Sequence, residues 1–224
     1  MAALKEAGGC MWNSTCSMWR DSLRRIVGEP GEMFLSFLGK CTRHSGFQEV
    51  TDTLSDQANQ RLGRQDLALR FFALKVSLDT YKGSISDWLD EFSEAVVKKR
   101  ISFDYPAEEE AFNGLFAVLA EKFGDEAFVK HKGHRALGGL APAYYDAVTM
   151  GLLPLIDRLR EASSDVAKRI LDEAVGHENE DFRENVGPGA NAVPRLHRRI
   201  AEVRRVFEQK LPSLTSNVPV RKRR

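Results

Sequence analysis

The stretch from Arg61 to Val97 constrains this chain more than any other. In RLGRQDLALRFFALKVSLDTYKG, residues Leu67, Phe71, Leu74 and Leu78 recur at steps of four, three and four. That spacing places four large apolar groups on one face of a helix. Lys82-Gly83 breaks the pattern. Ser84 then opens a second helix, with Asp87 three residues on in capping-box spacing. Ile85, Leu89, Phe92 and Val96 form the second stripe, with Trp88 beside it. Two apolar faces joined by a short connection bury each other as an antiparallel helical hairpin.

Composition widens this to a fold class. The 224 residues are 42% hydrophobic and 29% charged, enough for a sizeable core and inconsistent with disorder throughout. A formal charge of +1 gives no global field for nucleic acid. Three cysteines, Cys10, Cys16 and Cys41, form no CxxC pair and suit a reducing cytoplasm better than a disulfide framework. No apolar run has the length of a membrane span, and MAALKEAGGCMWN does not read as a signal peptide.

Further helices follow by the same reasoning. Trp19, Leu23 and Ile26 line a short helix that Gly28 and Pro30 end, and Met33 to Leu38 is an apolar knot ended by Gly39. Pro106 and the glutamates behind it open a helix whose buried face is Phe112, Leu115, Phe116, Leu119 and Phe123. HKGHRALGGLAP reads as an irregular loop, and a small hairpin is allowed near Val97 to Tyr105. The helix from Tyr144 kinks or restarts at Pro154. Ser163 or Ser164 caps another, ended by Gly176. HENEDFREN reads as solvated linker. Leu196, Ile200, Val203, Phe207 and Leu211 carry the last helix. The expected fold is all-α: a peripheral segment 1–31, one multi-helix domain 32–211, and a flexible basic tail 212–224. Thirteen phenylalanines point to one shared interhelical core.

Charge is unevenly placed. From Val193 onward, ten lysines and arginines face only Glu202 and Glu208. Arg195, Arg198, Arg199 and Arg205 on the last helix, with Arg221, Lys222, Arg223 and Arg224 in the tail, are the candidate contacts to nucleic-acid phosphates. Cys41-x-x-His44 and His131-x-x-His134 have metal-like spacing but lie far apart, and no metal is assigned to them. Glu178, Glu180 and Asp181 lack an apolar floor. No nucleophile motif and no phosphate loop occurs, so no catalytic residue and no cofactor is named.

Four segments resemble a known family. RLGRQDLALRFFALKVSLDTYKGSISDWLDEF is similar to the R…D…LRF…Y.G…FL segment of the ParB-like restriction and defence proteins, the family of the GmrSD-type nucleotide-hydrolysing subunit. FNGLFAVLAEKFGDEAFVK and LAPAYYDAVTMGLL resemble its F…L…FG…AF and YDAV segments, and NVGPGANAVPRLHRRIAEVRRVF its last helix. The likeness runs from about Phe34 to Leu211 and carries neither the family's D-G-Q-Q-R motif nor its HNH nuclease core. It implies a helical part without the chemical modules, and it makes Arg61, Arg64 and Arg70 candidate contacts to a ParB-like or nuclease partner. The expectation is a non-catalytic interaction or nucleic-acid-associated module in anti-phage defence. The alternatives are a nucleotide- or DNA-hydrolysing enzyme of that family, and a protein-interaction domain without nucleic acid.

Overall fold

Apolar or small residues occupy nearly every position from Leu67 to Leu74, so this helix has no polar side to leave in water. The computed structural model, which describes residues 29–54, 63–132, 135–137 and 139–211, buries it all round. Helix α1 spans Glu29–Cys41, α2 Ser45–Val50, α3 Gly63–Ser77, α4 Ile85–Val97 and α5 Tyr105–Phe123. After a short hairpin come α6 (Pro142–Leu152), α7 (Ile156–Glu161), α8 (Ser164–Val175), α9 (Glu180–Arg183) and α10 (Val193–Lys210). The fold is all-α, and α3 packs against α1, α4 and α6.

The paired stripes hold except at Leu78, which lies half-buried in a 3-10 turn, Leu78–Thr80, after α3 has ended. Leu67, Phe71, Leu74, Ile85, Trp88, Leu89, Phe92 and Val96 are buried, and the Ser84 hydroxyl caps α4 by accepting from the Asp87 N–H at 3.4 Å. The indole of Trp88 donates to Ser77 O and Thr80 Oγ1, which closes the α3–α4 corner. The stripe was too narrow a description of α3. Phe72, on the flank of the stripe, meets Phe37 of α1 at 5.1 Å between ring centroids and Phe112 of α5 at 5.4 Å. Twelve of the thirteen phenylalanines are buried, and Phe103 packs on them.

Two close helix crossings depend on a missing Cβ. At Gly46 in α2, a Cβ would lie 2.6 Å from the Phe116 carbonyl oxygen of α5. At Gly151 in α6, it would lie 2.9 Å from a Val203 methyl of α10. Backbone cannot rotate away as a side chain can. Gly46→Ala is expected to lower stability by about 1–3 kcal/mol, read from the urea midpoint. An unchanged midpoint would mean that α2 and α5 separate freely.

Several boundaries differ from the expectation. Pro30 sits in the first turn of α1, where its missing N–H leaves no helical bond unmade. α1 therefore begins before the expected boundary at 32, and it runs past Gly39 to Cys41. The stretch read as irregular loop holds an antiparallel pair, Lys130–Lys132 with Arg135–Leu137, while 98–104 is the irregular link. Pro154 restarts the helix through a 3-10 turn at Leu153–Leu155. HENEDFREN is not a solvated linker. Asn179 caps α9, and Phe182 is fully buried with its ring 5.0 Å from Tyr144. The helix read over Trp19 to Ile26 and the 212–224 tail lie outside the described residues. Among those described, no helix is long and apolar enough to cross a membrane.

Candidate functional site

The α6 sequence YYDAVTMGLL puts one carboxylate in an apolar run, and every residue from Tyr144 to Leu152 is buried. A lone buried carboxylate is costly unless it is paired and hydrogen-bonded. Asp146, with no exposed surface, meets two arginines. Arg70 of α3 donates through Nη2 to Oδ2 at 2.5 Å and through Nε to Oδ1, a bidentate fork. Arg199 of α10 donates through Nη2 to Oδ2 at 2.5 Å and through Nη1 to the Ala190 carbonyl. The Tyr145 hydroxyl adds a bond to Leu67 O at 2.8 Å, and the Tyr81 hydroxyl one to Asn191 O at 2.5 Å.

Burial alone would push the Asp146 carboxyl up, but the guanidiniums of Arg70 and Arg199 override it and hold the carboxyl below its ordinary value. Asp146 is ionised at neutral pH. Two cations then share one anion, and the buried Nε of Arg199 makes no hydrogen bond in the structure. The arrangement is a fastener. It joins α3, α6, α10 and the 187–192 turns at a point closed to water.

No protein-family model, curated protein or solved structure matches this chain.

The sequence-read residues divide sharply. Arg199 was placed among the phosphate contacts and Arg70 among the partner contacts, and both are corrected: their guanidiniums are engaged inside by Asp146. The reason lies in spacing, since Arg70 and Arg199 each stand three residues after one stripe leucine, Leu67 and Leu196. Arg64 donates to Thr51 Oγ1 at 2.9 Å and ties α3 to the end of α2. Arg195 folds back onto the Pro188 carbonyl. Arg205 pairs with Glu202 at 2.7 Å, and its hydrogen bonds hold the Glu202 carboxyl below the usual range. Arg198 is exposed and has no ion pair among the described residues. Arg61, Arg221, Lys222, Arg223 and Arg224 lie outside the described residues.

The metal-like spacing also resolves into structure. Burial, with some help from Glu109, pushes the Cys41 thiol up to about 12, so it stays protonated and a poor ligand. His44 Nδ1 caps α2 by accepting from the Phe47 N–H at 3.4 Å. Glu180 pairs with Arg183 at 3.1 Å on the solvent side of α9. Sequence reasoning missed Asp146. The signal was present: a single carboxylate between buried aromatic and aliphatic neighbours requires a cationic partner elsewhere in the chain.

Proposed function

We propose that this chain is a non-catalytic helical docking module of a restriction-type, anti-phage defence system, acting in the cytoplasm beside a ParB-like or nuclease partner. One observation carries the reading. Polar letters of two family-like segments, Arg70 of LRF and Tyr81 of Y.G in the first and Asp146 of YDAV in another, gather around Arg199 of the last. What the chain shares with that family is then a scaffold, because the shared polar groups fasten helices and none faces a substrate. A hydrolytic enzyme needs such groups at a surface that substrate can reach.

The test is direct. The purified full-length chain, given ATP, GTP or duplex DNA with Mg²⁺, is expected to show no turnover above the buffer control. Turnover that survives repurification and disappears on a single substitution, for example Glu178→Gln, would favour the hydrolase instead.

Arg198 favours a second reading, contact with nucleic acid, because among the described residues it is the exposed α10 arginine whose side chain makes no hydrogen bond or ion pair. Binding to a short duplex would then weaken between about 50 and 200 mM salt, each neutralised phosphate adding roughly 0.9 to the log–log slope. Arg198→Ala and removal of residues 221–224 would each reduce that slope. No binding at the lowest salt leaves the helices as a surface for protein alone.

A further inference from the structure

The end of α4 closes with a backbone motif that ordinarily takes glycine. Arg100 N–H bonds to Ala95 O at 2.8 Å and Lys99 N–H to Val96 O at 3.0 Å, the paired bonds of a Schellman ending. The residue that must turn left-handed is Lys99, at φ +54°, the only non-glycine with positive φ among the described residues. A lysine there strains its backbone where a glycine would not.

That strained turn borders an apolar groove of about 420 Å³. Val96, Val97, Ile101 and Phe103 supply apolar lining, and Tyr105 closes the far side. Pro30 and Met33 of α1 also line it, and Met33, at 51% exposure, is the one large hydrophobic side chain left in water among the described residues. Among the described residues, the only charged side chains lining the groove are Lys99 and Arg100. Glu94 pairs with both Lys98 and Arg100, so one carboxylate serves two of three consecutive cations and Lys99 is not paired with it. Exposed Met33, a cationic rim and backbone strain coincide at one place.

We propose that this groove is the docking surface of the module, and that its occupant is an acidic amphipathic segment of a partner protein, apolar side chains in the groove and carboxylates over Lys99 and Arg100. The proposal rests on the docking reading above and supplies its partner chemistry. A small ligand sunk in the floor would leave Met33 in water, whereas a chain crossing the rim covers both. Methionine suits such a contact because its unbranched side chain adapts to the shape laid against it. The groove also borders the start of α1, which makes residues 1–28 a rival occupant. Those residues carry Lys5, Arg20, Arg24 and Arg25 against Glu6 and Asp21, the wrong sign for this rim.

The experiment is a display selection of random helical peptides of roughly twenty residues on the full chain, with counter-selection against Met33→Glu. Survivors are expected to be net negative, with apolar residues at helical spacing. The strongest survivor, titrated by fluorescence anisotropy, should bind Lys99→Gly and Arg100→Ala about fivefold more weakly and lose affinity with salt. Lys99→Gly should at the same time raise the urea midpoint, since glycine relaxes the turn, so weaker binding cannot be blamed on misfolding. Survivors that are net positive, no survivors sensitive to Met33→Glu, or equal binding to Lys99→Gly would each overturn the proposal. Displacement of the survivor by a synthetic peptide of residues 1–28 would also overturn it, by assigning the groove to this chain itself. Failure in any of these ways leaves the turnover result unchanged, and turnover would sink the module reading whatever the peptides do.

Discussion

Asp146→Asn is expected to cost about 3–5 kcal/mol of folding stability, the loss seen when one partner of a buried ion pair is removed. The side-chain shape survives, but Arg70 and Arg199 are left facing each other with no anion between them. Neither can move to water: Arg199 has no exposed surface, and Arg70 is held in the middle of α3. Urea unfolding of parent and variant measures the effect. A loss below about 1 kcal/mol would show that Asp146 is not the counter-charge of both arginines. The apolar replacement Arg70→Met, Asp146→Leu, Arg199→Met should harm stability less than Asp146→Asn alone, because it removes the desolvation cost with the charges.

The same carboxyl gives a pH signature. Its folded value lies below the ordinary 3.8, so its contribution is complete above the unfolded value. That contribution disappears as pH falls through the folded value. As pH falls below about 4 the parent should lose stability more steeply than Asp146→Asn, which has no proton to bind there. Parallel curves would separate the triad from acid unfolding.

Phe71→Ala is the second large effect, about 3–5 kcal/mol from lost transfer and the cavity left behind. The ring touches Phe72 and Phe112 at 5.2 Å and Phe116 at 5.6 Å between centroids, one on its own helix and two on α5. Rings fixed from two helices cannot collapse into the space without moving both, so the cost belongs at the upper end. A denaturant midpoint shifted by less than about 1 kcal/mol would mean that α5 slides inward to fill the gap.

The residues explain what could be read in advance. Stripes such as Ile85, Leu89, Phe92 and Val96 were legible because one face of α4 is wet and the other dry. Helix α3 was only half legible, since a helix dry on every side has no polar face against which a stripe can be seen. The fastener was hidden for a related reason. An arginine at Leu196 plus three looks like a surface cation unless the angular position is weighed above the charge, and its partner lies 53 residues away. Nothing local joins Arg70 to Asp146, 76 residues apart. The groove was invisible for another reason: Met33 belongs to an apolar knot in sequence, and only packing decides that Phe34 turns inward and Met33 does not. Strain at Lys99 has no sequence signature beyond the absence of glycine after a helix.

The position of α10 has a consequence for synthesis. Helix α6 is dry on all sides only because α10 covers it, with Gly151 against Val203 and Asp146 under Arg199. On the ribosome α10 emerges some seconds after α6, at roughly 5–20 residues per second. Until then Asp146 has a single arginine, and the apolar side awaiting Val203 stands open. The nascent helices can gather around α3 but cannot lock. These helices therefore lock together only once α10 has been made, and α10 serves as their latch.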